Sequence, residues 1–368
     1  MRTFRKHVWL TLLALVTSTA ACPLAKADVV ADWNITAGDI VVAARLPPPV
    51  AYRAMAVVQT AVYEAVNAVT KRYPTNGMQL KAPSGASVEA SVAAANHAVL
   101  SKLIPSQQAA TDSAYQAALL RIPASAAKAE GIAVGEKAAA AVLALRAGDG
   151  GTAPEDYRPR ATAGVYVPTI IPAVPNWPRR TPWVMARADQ FRPGPPPSLT
   201  SSQWARDYNE IKVLGARNST QRTAEQTGIA RFWEATQPTI YYPVVRSVAN
   251  APGREITQNA RLLAVAGQAM DDALIAVFDA KYHYEFWRPV TAIRNGDMDG
   301  NDATERDASW VPLIDTPMHP EYPCAHCINS AAIAAVLEAE IGTGPSPQLS
   351  TASPTAPGMV RTWVRVED

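Results

Sequence analysis

Residues 262–286, LLAVAGQAMDDALIAVFDAKYHYEF, constrain the chain most. Wound as a helix, this stretch is apolar on nearly every face, and a helix of that kind has to sit inside a protein, covered by other elements. Its neighbours read as helices too. Met55, Val58, Val62, Val66 and Val69 recur at three- and four-residue spacing, which predicts an amphipathic helix from about 50 to 71 that starts after Pro47-Pro48-Pro49. Ala-rich helices are expected near 86–104, 107–121 and 125–147, with Pro105 between the first two and Ser125 as an N-cap. Further helices are expected near 202–215, 221–236 and 255–286, and from about Cys324 to Ile341 with Gly342 just past the end. Nearly half of the residues are hydrophobic, Ala dominates them and aromatics are few. This composition favours an all-α fold of packed helical bundles over a sandwich of sheets.

The connections divide the chain. Residues 1–27 have the layout of a secretory signal peptide, with Arg2, Arg5 and Lys6 before an apolar run and a small-x-small site ending at Ala27. A lipoprotein anchor on Cys22 is the weaker alternative, because Thr19 stands where Leu is usual. The mature chain is therefore expected to be exported, periplasmic or secreted. No later apolar run approaches the ~20 residues that span a bilayer. Without residues 1–27, which hold four basic side chains, 30 Lys+Arg face 32 Asp+Glu, a balance that does not suggest a nucleic-acid partner. An N-terminal helical region over 28–148 leads to a loop at 149–200 with eleven prolines. Its Tyr157, Tyr166, Trp177, Trp183 and Phe191 are too apolar for a free linker, so the loop is expected to pack over the helices. A helical core follows over 201–342, and an irregular tail over 343–368.

Two stretches carry chemistry. In KYHYEFWRP, 281–289, Lys281 and Arg288 stand seven apart, so on a continuous helix they share a face. Cations among Tyr282, Tyr284, Phe286 and Trp287 need partners when buried, and an anion is one candidate. In HPEYPCAHC, 319–327, a helix starting at Cys324 aims free N–H groups and the positive end of its dipole at whatever lies before it. Ala325 lets an oxyanion approach the backbone, and His326 in the first turn can act as acid or base. Cys324 and Cys327 leave three other readings open: a dithiol redox pair at a helix start, a disulfide in an oxidising compartment, and a zinc site with His319 and His326. The aspartates of 295–302, NGDMDGND, read as a solvated turn, with calcium as the alternative. His97 reads as a surface or capping residue.

K-x6-R-P followed by P-x-x-H resembles the motif pair of the superfamily that joins vanadium-dependent haloperoxidases to type 2 phosphatidic acid phosphatases. ADWN (31–34), AVYEAVNAV (61–69), FRPGPPPSL (191–199), RTAEQTGIARFW (222–233), KYHYEFWRPVTAIR (281–294) and HPEYPCAHC (319–327) resemble its exported bacterial haloperoxidase-like branch, from about residue 30 to 342. The resemblance implies that Lys281 and Arg288 bind the oxygens of vanadate or phosphate and that His326 is the acid–base residue. Cys324 then replaces a Ser and Ala325 a Gly, and both would line the oxyanion pocket. It implies peroxide and halide as substrates, with vanadate as the cofactor, or a phosphoester in an acid phosphatase, or a non-catalytic oxyanion-binding homologue. It also implies a third motif, with an Arg and a His about eight residues apart. No histidine follows His326, and only Arg361 and Arg365 follow it as arginines. We therefore expect either a sequence that stops before this motif or a homologue without it, with His283 or His319 as a substitute imidazole.

Overall fold

A computed structural model describes residues 28–74 and 78–368. The expected signal peptide lies outside them. Eleven α-helices are present among the described residues: α1 (Val29–Ala43), α2 (Pro48–Thr70), α3 (Val88–Leu103), α4 (Gln108–Leu120), α5 (Ala126–Leu145), α6 (Ser202–Leu214), α7 (Ala224–Phe232), α8 (Tyr242–Ala249), α9 (Ile256–Tyr284), α10 (Pro289–Arg294) and α11 (Ala325–Ile341). The sequence punctuates them. Ser87, Ser125, Ser201 and Thr223 cap α3, α5, α6 and α7 with side-chain oxygens that accept first-turn N–H groups. Pro48 and Pro49 open α2, where a missing N–H costs nothing.

The apolar segment forms α9, and α9 is central as expected. It packs on α2, α11, α1 and α8, and buries Leu262, Leu263, Met270, Ile275, Val277 and Phe278. A second helical layer forms where α5 lies on α3. Gly131 and Gly135 make that approach possible, because a Cβ on either would collide with the backbone carbonyl of Ser87 or Ser91.

The Pro-rich loop is fixed to α9 by buried charge. Arg180 donates to both carboxylate oxygens of Asp271 (2.5 and 3.0 Å) and to Asp149 (2.9 Å), while Arg53 donates to Asp149 at 2.8 Å. Trp183 Nε1 donates to Asp271 at 2.9 Å, and Asp272 accepts the backbone N–H groups of Trp183, Val184 and Met185. Trp177 and Tyr166 are buried, whereas Phe191 stays largely exposed.

Three expectations are corrected. The tail is not irregular: β1 (Pro345–Ala352) and β2 (Val360–Arg365) pair antiparallel, with Leu349 opposite Trp363. The hairpin is anchored by Leu349, which is buried, by Thr351 Oγ1 donating to the Ile240 carbonyl, and by the Ser350 N–H donating to Ser247. The turn 295–302 is not wholly solvated, because Asp299 is buried and accepts from Trp204 Nε1 (2.7 Å), Thr304 Oγ1 and the Asn301 N–H. It ties down a small core of Trp204, Tyr208, Trp287, Ile293 and Trp310. Lys281 and Arg288 do not share a helix face. The helix stops at Tyr284, Glu285 turns left-handed (φ 46°), and Arg288 lies beyond it as the N-cap of α10.

Candidate oxyanion site

The break after Tyr284 is what brings the two cations together. The left-handed Glu285 closes α9 by donating its N–H to the Lys281 carbonyl. Its own carbonyl accepts from Tyr166, and Trp287 donates to Gly164, so the Pro-rich loop holds 285–287 in an extended path. Arg288 thereby turns back toward Lys281, and both close around residues 319–321, which lead into α11.

Lys281 is 2% exposed. Its Nζ donates to the carbonyls of Pro320 (2.9 Å) and Glu321 (2.7 Å). Burial, reinforced by the Arg288 charge and only partly offset by Glu321, pushes this amine down to about 7. Arg288, also buried, donates through Nε to the His319 carbonyl (2.6 Å), through Nη1 to Glu321 Oε2 (2.6 Å) and through Nη2 to His319 Nδ1 (2.8 Å).

The guanidinium fixes the tautomer of His319. Nδ1 lies 2.8 Å from Arg288 Nη2 and 3.1 Å from the Pro320 carbonyl. A guanidinium can only donate and the Arg288 contact is the shorter of the two, so Nδ1 accepts from it, the ring proton sits on Nε2, and Nδ1 makes no bond to the Pro320 carbonyl. Burial, together with the Lys281 and Arg288 charges, holds this imidazole down to about 2. His319 is therefore neutral throughout the ordinary pH range.

The other half of the site is the start of α11. Cys324 is its N-cap, and its Sγ accepts the Cys327 N–H at 3.2 Å. Cys324 and Cys327 are joined as a disulfide, so Cys324 has no S–H to offer an oxyanion as a serine would have O–H. A bonded pair offers no thiolates to a metal, and it is also the oxidised form that a dithiol redox pair would take. No cluster of three or more His, Cys, Asp or Glu placed to hold a metal occurs among the described residues, at 295–302 or elsewhere. The N–H groups of Ala325 and His326 take no backbone acceptor among the described residues and remain free for a ligand.

His326 lies in the first turn, partly buried, with Nε2 3.1 Å from the Ala235 carbonyl, to which it donates. Its own carbonyl accepts from Tyr241 at 3.4 Å. No direct bond joins Lys281 or Arg288 to Cys324, Ala325 or His326 among the described residues. The two halves are linked through 319–323. Of the substitute imidazoles, His319 is brought into the site, and His283 is not, being exposed at the end of α9. His97 pairs with Asp112 and stacks on Tyr115 at the surface. The sequence reading missed Glu321 and the Ala235 carbonyl. Glu321 is visible in PEYP as the acidic side chain nearest before His326, but nothing in the sequence aims it at Arg288.

The site can hold an anion by charge and by helix N–H groups. His319 does not offer an imidazole lone pair for a covalent bond at Lys281 and Arg288, because its Nδ1 is occupied by Arg288 and its Nε2 carries the proton. His326 donates through Nε2 to Ala235 and keeps the lone pair of its Nδ1.

Comparison with known proteins bears on the fold that carries these residues. Residues 261–365 match a family model described as the VCPO second helical-bundle domain. The chain is 26% identical over 256 residues to the vanadium chloroperoxidase of Curvularia inaequalis, which is 54% of this chain and 41% of that protein. It thus spans less than half the length of this curated relative. The fold is similar to a bacterial vanadium-dependent iodoperoxidase (TM-score 0.76, 23% identity, 92% of this chain and 86% of that one). It is also similar to a bacterial vanadium-dependent chloroperoxidase in its apo form (TM-score 0.66, 15% identity, 88% and 86%). The all-α architecture is therefore shared with helical haloperoxidases.

Proposed function

We propose that this chain, whose residues 261–365 match the VCPO second helical-bundle domain and which is similar to a vanadium chloroperoxidase, binds a tetrahedral oxyanion, vanadate in a haloperoxidase reading, between Lys281, Arg288 and the start of α11. The observation that carries this is the convergence of two buried cations on the segment that feeds a helix N-terminus. Bound vanadate would supply the centre at which peroxide is activated toward halide. The protein's own part is to neutralise the anion's charge with Lys281 and Arg288. The free N–H groups of Ala325 and His326 receive its oxygens, and the His326 imidazole moves a proton near them. The residues present fit the anion's charge, His319 is not free to bond vanadium, and no covalent step is assigned to them.

We further read the chain as exported. The layout of residues 1–27 supports this, and a disulfide at Cys324–Cys327 suits an oxidising compartment. No helix of the described residues is long and apolar enough to cross a membrane.

Bromination of an organic dye by the full chain, given orthovanadate, peroxide and bromide, tests the haloperoxidase reading. Activity that needs vanadate and is lost in Arg288→Ala is the expected result. No bromination at any vanadate level, from a chain with native circular dichroism, overturns it. Phosphomonoester hydrolysis that disappears in His326→Ala would move the same site to the phosphatase reading.

A further inference from the structure

We propose that the Glu321 carboxylate is an internal ligand of the oxyanion site, which an incoming anion must displace, and that it selects dianions over monoanions. The inference deepens the proposed function and rests on Lys281 and Arg288 being the anion's cations. Arg288 makes three contacts shorter than 3 Å, and two of them go to His319, through its carbonyl and Nδ1. The third, at Nη1, is the only charged partner the guanidinium has among the described residues. The Glu321 side chain is 41% exposed, against 8% for Arg288. The carboxylate thus stands between the buried guanidinium and solvent, where an external anion would arrive.

The rest of the segment has no reason to move. The Glu321 N–H donates to the Phe286 carbonyl at 2.9 Å, and the Glu321 and Pro320 carbonyls hold Lys281. These bonds fix the backbone, so exchange requires only that the Glu321 side chain rotate into water. A monoanion that takes its place trades one negative charge for another and gains nothing. A tetrahedral dianion brings a second charge and more oxygens. It can engage Arg288, the remaining N–H of Lys281 and the free N–H groups of α11 together, and so outcompetes the carboxylate.

The test is calorimetric titration of the full chain with inorganic phosphate, in wild type and in Glu321→Gln, which keeps the shape and removes the charge. The expected result is about five-fold tighter phosphate binding in the variant, the ratio given by a partly exposed ion pair. A second variant, Glu321→Ala, should also bind phosphate more tightly, and added acetate should weaken its phosphate binding while leaving wild type unaffected. Equal or weaker binding in both variants, with binding in wild type still abolished by Arg288→Ala, overturns the internal-ligand proposal and leaves the oxyanion site standing. No phosphate binding by wild type or either variant overturns the site and the proposal with it.

Discussion

Raising the pH should switch the site off through Lys281. The amine is held near 7 mainly by burial, against an ordinary value of 10.5. A neutral amine still has two N–H groups for the Pro320 and Glu321 carbonyls, so deprotonation leaves the fold's contacts intact and removes one of the anion's two cations. Binding of a dianion favours the charged amine, which makes anion binding and proton uptake linked. Above pH 7 the protonated fraction of the free protein falls ten-fold per unit, so anion affinity should fall by about ten-fold per unit until the bound-state value is reached. At pH 8 close to one proton, roughly 0.9, should be taken up per anion bound. Sulfate is the suitable probe, as a tetrahedral dianion that does not itself titrate there. Calorimetry in two buffers of different ionisation enthalpy reads the proton count directly. His319 stays neutral across the window and so does not supply the same signal. Sulfate affinity that is flat from pH 7 to 9, with no proton uptake, would refute the argument.

The same depression has a consequence for stability. Between about pH 7 and 10.5 the unfolded chain holds a proton on Lys281 that the folded chain has released, so this residue's contribution to stability rises with pH across that window. Lys281→Met should flatten this part of the stability profile in urea denaturation. Asp271→Asn leaves the buried guanidinium of Arg180 short of a charge and should cost about 3–5 kcal/mol in the same assay. Reducing the Cys324–Cys327 disulfide opens a loop of only a few residues, so it should lower stability by less than about 2 kcal/mol and leave helix content unchanged by circular dichroism.

The helices were legible because their signals are local. Apolar spacing, Ser125 as a cap, the prolines before α2 and Gly342 after α11 each act within a few residues. Lys281, Arg288 and His326 were legible as chemistry for the same reason. What the sequence hid depends on distance or on an unusual backbone. Glu285 takes a left-handed conformation without being Gly, so nothing marked the end of α9 before Pro289. Asp271 and Asp272 look like breaks in an apolar helix, and their partners lie about ninety residues earlier in the loop. The tail pairs as a hairpin although PSPQLSTA has no clear alternation, because Leu349 and Thr351 find partners on and beside α8. Glu321 belongs to this group as well, since its meeting with Arg288 depends on how 319–321 lies in the fold.

The most direct measurement is a crystal structure of the full chain soaked in orthovanadate. The account predicts a tetrahedral anion within hydrogen-bond distance of Lys281, Arg288 and the N–H groups of Ala325 and His326, with the Glu321 side chain rotated away from Arg288. Vanadate bound elsewhere, or absent at saturating concentration while Glu321 stays on Arg288, would contradict it.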